Sequence, residues 1–278
     1  MNIFRSLYYV LTPSLRLYVR RILYFPIDLF NQITKTEDDP IPPKGKIFIG
    51  SGDFKKQGEH ILDLVIKYTK LKPDGKILDI GCGIGRLAIP LTKYLTNQGC
   101  YEGFDIVKMG IDWCTKNISK KYPNFHFMHI DLKNDLYNLK TDKKAKDFVF
   151  PYKQNYFDSI VLTSVFTHMM PSDVKQYLQQ IKLVIKDNGY CLATFFIIDQ
   201  KSTEAIKNKT AYFSFNHKYN GYYLLDTKVK EANVAYEIDY LYSMLEECGL
   251  RVDFISQGTW ANGSNPIDFQ DVVILKKK

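Results

Sequence analysis

The stretch Lys76-Ile-Leu-Asp-Ile-Gly81-Cys-Gly83-Ile-Gly85-Arg86 limits the fold more than any other part of the chain. An apolar run at 76–80 ends in three glycines at alternate positions, and a helix-forming run follows at 87–95. The first run has the length and composition of a strand buried on both faces. Glycines after it let the chain turn tightly and let backbone N–H groups approach a ligand. The helix beyond adds partial positive charge at its N-terminus. Such a unit belongs at the carboxyl edge of an open parallel sheet, where ligands bind.

The remaining pattern agrees. A helix face runs through Ile61, Leu62, Val65, Ile66 and Tyr68 and ends at the Lys72-Pro73-Asp74-Gly75 turn. Further strands are expected at 101–107, 125–130, 159–164 and 190–198, with a helix at 110–121. A second helix opens at Pro171, runs to 185, and is expected to stop in a left-handed cap at Asp187-Asn188-Gly189. A last helix is expected at 235–248, capped by Gly249, followed by closing strands at 251–255 and 271–275. Alternating strands and helices imply a doubly wound, Rossmann-like α/β fold. The expected sheet has seven mostly parallel strands with an antiparallel last strand.

Spacing then separates two ligand classes. The dinucleotide fingerprint is G-x-G-x-x-G/A, and its last small position is taken here by Arg86. The glycines run G-x-G-x-G instead, with Asp79 just before them. Tyr101-Glu-Gly-Phe-Asp105 puts an acid at the end of the second strand, where a carboxylate can accept both ribose hydroxyls. His129-Ile-Asp131-Leu132 ends the third strand, and Phe157-Asp-Ser-Ile-Val-Leu-Thr163-Ser-Val-Phe-Thr-His168 ends the fourth. Together these segments resemble the motifs of class I S-adenosylmethionine (SAM) dependent methyltransferases across about residues 58–198. The resemblance implies SAM as cofactor, with Asp79, Gly81, Cys82, Gly83, Gly85 and Arg86 around its methionine part. It places Asp105 and Ile106 at ribose and adenine, Asp131 and Leu132 at adenine, and Thr163 beside them. The plainer alternative is that Asp105 and Asp131 cap helices.

The acceptor is less constrained. Methyl transfer needs acceptor and methyl aligned, and a base where the acceptor is a hydroxyl or an ammonium. His168, after the fourth strand, is the candidate catalytic base, against the alternative of a pocket-shaping histidine. Thr167, Tyr212, Tyr222 and Trp260 are candidate acceptor contacts. For the aromatic insert at 199–234, a lid over the acceptor and a small core of its own are competing readings. The segment Ile49-Gly-Ser-Gly-Asp53-Phe54 either folds over the methionine end or serves as a plain turn. No Asn-Pro-Pro-Tyr or Asp-Pro-Pro-Tyr follows the fourth strand, which argues against enzymes that methylate base or glutamine amino groups. The layout resembles bacterial methyltransferases of small molecules and glycans. The expected activity is methylation of O or N on such an acceptor; a noncatalytic SAM-binding scaffold and a nicotinamide-dependent oxidoreductase are the alternatives.

The formal charge is +8 and the pI about 9.0, but the lysines are spread out, and no nucleic-acid partner is expected. Five cysteines lack C-x-x-C or zinc-finger spacing, so no metal is expected and a reducing, cytoplasmic location fits. Residues 1–33 are apolar and aromatic, and Arg5, Arg16, Arg20 and Arg21 are the only charges before Asp28. Two readings compete: a basic amphipathic helix on a membrane surface, or a segment packed on protein with its arginines outward. The poor helical period favours packing. Prolines 40, 42 and 43 mark a linker, dividing an arm at 1–46 from a SAM-binding domain at 47–278. Oligomeric state is not encoded in any motif.

Overall fold

The structure, a computed structural model, describes residues 12–34, 40–48 and 52–278. Arg5, with the rest of residues 1–11, and the Ile49-Gly-Ser part of the 49–54 segment lie outside the described residues. Within them, strands β1 (Lys76–Ile80), β2 (Cys100–Asp105), β3 (Phe125–His129), β4 (Phe157–Leu162) and β5 (Ile185–Phe195) pair in parallel. The sheet continues through β10 (Leu250–Ser256) and β11 (Asp271–Lys277) in the spatial order β10-β11-β5-β4-β1-β2-β3. Strand β11 runs antiparallel to both neighbours, as expected for the last strand. Chain order reverses between β1 and β4, which opens a crevice above their carboxyl ends.

Period-two alternation puts a separate core on each face of this sheet. Leu78 and Ile80 of β1 join Ile160, Leu162, Val174 and Leu178 on one side. Ile77 joins Val65, Leu91, Trp113, Val161 and Leu192 on the other. Helices α2 (Phe54–Thr69), α3 (Ala88–Tyr94) and α4 (Lys108–Cys114) help to cover that second face. Asp53 starts α2: its carboxylate accepts the N–H groups of Lys55 and Lys56, both at 3.0 Å. Helix α5 (Pro171–Val184) packs on the first face, with Pro171 in its first turn.

Several local expectations change. Helix α4 passes into a π-turn at Thr115–Ser119 rather than continuing as α-helix to 121. Helix α5 ends at Val184 without a left-handed cap, because Ile185 is already extended. Gly189 is there for space: a Cβ would sit 2.7 Å from Ile185 and 3.0 Å from the Asp158 carbonyl. Gly249 does take the left-handed φ of 70° expected of a cap. The expected helix at 235–248 is shorter, because Val234–Glu237 forms strand β9 before helix α7 (Ile238–Glu247). Its β-branched and aromatic residues fit a pleated surface, and Ala235 and Tyr236 are fully buried in it.

Strand β9 belongs to the insert. It pairs with β6 (Ile197–Ile198) on one edge and with β8 (Tyr222–Leu224) on the other; β7 (His217–Lys218) completes a four-stranded sheet. Helix α6 (Gln200–Lys207) starts in a capping box formed by Asp199 and Ser202. The insert has its own core, in which Phe196, Phe215, Ala235 and Trp260 meet. Trp260 is fully buried and donates its indole N–H to Asp271 at 2.8 Å, so it packs the final hairpin rather than facing an acceptor. Tyr222 stacks on Tyr219 at 5.0 Å and packs against the sheet core, away from the crevice.

Helix α1 (Pro13–Thr34) lies against the Lys44–Lys46 turn, where the Asp28 carboxylate accepts the N–H groups of Lys44 and Gly45 at 2.6 and 2.9 Å. It does pack on protein, with Arg21 outward as expected but Arg16 inward: Arg16 is buried and donates to the Leu136 carbonyl at 3.3 Å. Beyond Arg21, the exposed side of the helix is mostly apolar. No helix of the described residues is long and apolar enough to cross a membrane.

Asp271 anchors three parts of the molecule. Its carboxylate accepts from Ile197 N at 2.6 Å, Gly258 N at 2.7 Å and Trp260 Nε1 at 2.8 Å. Removing it leaves three buried donors without an acceptor, so Asp271→Ala should destabilise the protein by about 3 kcal/mol. Chemical denaturation with an unchanged slope and a lowered midpoint would show this.

Candidate functional site

The loop after β1 is held in shape by two acids. Gly81, Gly83 and Gly85 have φ of 72°, 59° and 81°, in the left-handed region that side chains avoid. The Asp105 carboxylate, at the tip of β2, accepts the N–H of Gly83 at 2.8 Å through one oxygen and that of Val107 at 2.7 Å through the other. Asp105 therefore does take a helix-entry N–H, yet each oxygen keeps a second lone pair for a hydroxyl. Burial raises its pKa, and the Val107 and Gly83 N–H groups oppose that shift. Asp79 is buried beneath the loop and accepts the Tyr101 hydroxyl at 2.8 Å. Burial pushes its carboxyl up to about 7, and no cation among the described residues offsets it.

These groups open into one cavity of about 840 Å³, within the size range of small-molecule and cofactor sites. Asp79, Gly81, Cys82, Arg86, Asp105, Ile106, Leu132 and Thr163 from the expected cofactor set line it, as do His168 and Tyr212. Gly83 joins through its N–H to Asp105. Five expected residues are elsewhere, Trp260 in the hairpin core among them. Gly85 turns the chain close to α4, where a Cβ would lie 2.9 Å from Cys114 Sγ. Asp131 is exposed and accepts the Asn138 amide at 3.0 Å, so the loop after β3 reaches the cavity through Leu132, Lys133 and Asn134 instead. Thr167 is fully buried outside the cavity wall, its hydroxyl without a partner, and Tyr222 lies in the insert sheet.

His168 sits on a short 3₁₀ turn after β4, and its ring Nδ1 lies 3.0 Å from the Glu231 carbonyl. A carbonyl only accepts, so Nδ1 carries the hydrogen in this contact; in a neutral ring the lone pair then lies on Nε2. Asn134 fixes this turn from below by donating to the His168 carbonyl at 3.0 Å. The Tyr137 ring meets the imidazole edge-on at 5.8 Å. Ser164, at the tip of β4, has φ of 58°, a strained conformation for a residue with a side chain. Its N–H donates to Thr194 Oγ1 at 2.8 Å, and both hydroxyls donate to Gln270 Oε1.

Sequence reasoning missed Asn134, Tyr137, Glu231 and Gln270 as cavity residues. Asn134 follows the recognised Asp131-Leu132 pair closely, and Gln270 directly precedes the closing strand expected at 271–275, so both had a local signal. Glu231 had none: it arrives from the insert, where its carboxylate accepts Asp135 N at 2.6 Å and burial raises its pKa to about 7.

SAM carries a sulfonium, an ammonium, a carboxylate and a ribose diol. A buried acid without a cation, a half-buried arginine, a carboxylate with spare lone pairs and a glycine loop that bares its backbone fit those groups. Side chains on the loop would not fit: a Cβ at Gly81 would lie 2.4 Å from Val165 Cγ2. The strand order and this cavity are those of the class I SAM-dependent methyltransferase fold.

The chain belongs to the methyltransferase domain family, whose model matches residues 71–249. It is similar to a 2-phytyl-1,4-naphtoquinone methyltransferase of Trichormus variabilis, 24% identical over 139 residues, 49% of this chain and 54% of that protein. It is 25% identical over 146 residues to a ubiquinone/menaquinone biosynthesis C-methyltransferase of Wigglesworthia glossinidia brevipalpis, covering 52% of each. The chain thus spans about half the length of these curated relatives. The fold is shared with a 1,6-didemethyltoxoflavin-N1-methyltransferase of Burkholderia thailandensis solved with S-adenosylhomocysteine, at a TM-score of 0.51 and 11% identity, over 96% of this chain and 91% of that one.

Two outcomes test the cofactor end. Gly83→Val and Asp105→Ala should each weaken SAM binding more than ~tenfold, about 1.4 kcal/mol, by calorimetry. Asp79 gives a pH signature. Its folded pKa of about 7 lies above the ordinary 3.8, so its contribution to the stability of the ligand-free protein is full below 3.8 and lost as pH rises through 7. A cationic ligand favours the ionised carboxylate. SAM binding should therefore release protons near neutral pH and tighten as pH rises, and Asp79→Asn should abolish the release. Calorimetry in two buffers of different ionisation enthalpy measures it.

Proposed function

We propose that the chain transfers the methyl group of SAM to a small-molecule acceptor, with His168 as general base. The observation that carries this is the placement of His168: the Glu231 carbonyl, 3.0 Å from Nδ1, orients an imidazole that lines the same cavity as the glycine loop. When bound, SAM supplies an electrophilic methyl group on its sulfonium. Asp79, Gly81, Cys82, Gly83 and Arg86 would hold its methionine part, Asp105 and Ile106 the ribose and adenine, and Leu132 and Thr163 the adenine side. His168 removes the acceptor's proton: from a hydroxyl as its oxygen bonds to the methyl carbon and the carbon–sulfur bond breaks, or from an ammonium beforehand, which frees the nitrogen lone pair for that displacement.

The acceptor side of the cavity includes Met169, Tyr177, Tyr137, Tyr212, Phe213 and Phe269. Flat apolar and aromatic walls suit an aromatic ring better than a glycan-like molecule. Oxygen or nitrogen on that ring is the expected acceptor atom. Likeness to quinone C-methyltransferases favours a second reading, a ring carbon beside a hydroxyl. The same base serves both, because deprotonating a phenol activates its oxygen and its neighbouring carbons alike. A cytoplasmic site of action, with contact to a membrane surface through the N-terminal arm, fits five cysteines outside disulfides and the apolar exposed side of α1.

His168→Ala should lower turnover about 10²–10⁴-fold while SAM affinity stays within about twofold. S-adenosylhomocysteine production across phenolic, quinol and amine acceptors provides the assay. Undiminished turnover in the variant would remove His168 from the chemistry.

A further inference from the structure

Helix α1 presents an unusual outer face. Leu15, Val19, Ile22, Pro26, Leu29 and Ile33 follow one another at alternating steps of four and three, which lines them along one side, and every one is exposed. Tyr18 and Phe25 widen this stripe on one flank, Leu23 and Phe30 on the other; they too are exposed, Leu23 by 69% and Phe30 by 66%. The polar groups of the helix lie on the opposite side, where Arg16 reaches Leu136 and Asp28 holds Lys44 and Gly45. An apolar arc this broad exceeds a coiled-coil seam and is too large to leave in water.

A basic crevice lies at the edge of that face. Arg21 of α1 lines it together with Lys46, Lys108 and Lys116. The one acid there, Asp112, is paired with Lys108 at 2.6 Å. No carboxylate among the described residues pairs with Arg21, Lys46 or Lys116. Apolar residues beside cations, with no acid before Asp28, match the acyl chains and phosphates of an anionic lipid leaflet.

We propose that α1 lies in the plane of an anionic bilayer, its apolar face among the acyl chains and the Arg21–Lys46–Lys116 crevice on lipid phosphates. Arg16 ties the first turn of α1 to the segment carrying Asn134 and Tyr137, so docking brings that wall of the cavity beside the lipid surface. The docking surface stands independently of the methyl-transfer reading.

Cosedimentation of the full chain with vesicles tests it, comparing phosphatidylcholine alone with phosphatidylcholine carrying about one-third phosphatidylglycerol. The protein should bind the anionic vesicles and dissociate as salt rises. I22E/L29E should reduce binding at least ~tenfold, and R21E/K46E should remove the preference for the anionic lipid. SAM affinity, measured by calorimetry, should stay within about twofold in both variants, showing that the fold is intact. Failure of the unaltered chain to bind anionic vesicles would overturn the proposal, as would equal binding by I22E/L29E. Concentration-dependent dimers that I22E/L29E dissolves, without vesicle binding, would assign the face to a second copy instead.

Discussion

The Asp105 carboxylate connects the two parts of the chain on which the cofactor site depends. One oxygen holds Gly83 in the left-handed turn after β1; the other holds Val107 at the entry to α4. Neighbouring strand tips are thereby locked in register, with lone pairs left over for a ligand. Gly110 completes the arrangement by close approach: a Cβ there would lie 2.3 Å from the Gly83 carbonyl, so no larger residue lets α4 lie against the loop. A buried carboxylate costs folding free energy, and Asp79 beside it costs more. Two such acids under a loop with few side chains are a reason to expect a positively charged, hydroxyl-bearing ligand.

The other half of the cavity is built differently. Its wall comes from the loops after β3 and β4, the insert and the final hairpin, which meet only in the folded chain. Asn134 ties the first two loops together, the Glu231 carbonyl orients His168, and Gln270 gathers Ser164 and Thr194. Asp271 then holds the hairpin to β6, the strand that leads into the insert. The acceptor side is therefore a convergence of tertiary hydrogen bonds, and the insert that carries Tyr212 and Glu231 has a core of its own behind it.

This difference explains how much the sequence disclosed. The alternation of strands and helices, the antiparallel last strand and the glycine loop were legible because each rests on local pattern. Asp105 was legible because strand spacing places it at a tip. Asp131 has a similar position but turns to Asn138, since the chain after β3 bends inward through Leu132 and Asn134. Trp260 and Tyr222 misled because an aromatic residue in an insert serves a small core as readily as a ligand. Glu231 was invisible, since only tertiary packing brings it beside His168. The arm was half legible: composition identified its basic and aromatic character, but only the folded helix shows Arg16 turned inward, Arg21 left outside and the aliphatic residues turned out.

The central claim is that one ligand bridges the tip of β2 and the loop after β1. A crystal structure with S-adenosylhomocysteine tests it most directly. The account requires the ribose hydroxyls within hydrogen-bond distance of Asp105, the amino-acid end near Asp79, and the sulfur facing the space beside His168. A ligand lodged elsewhere, or one that leaves both carboxylates with only their present protein partners, would contradict it.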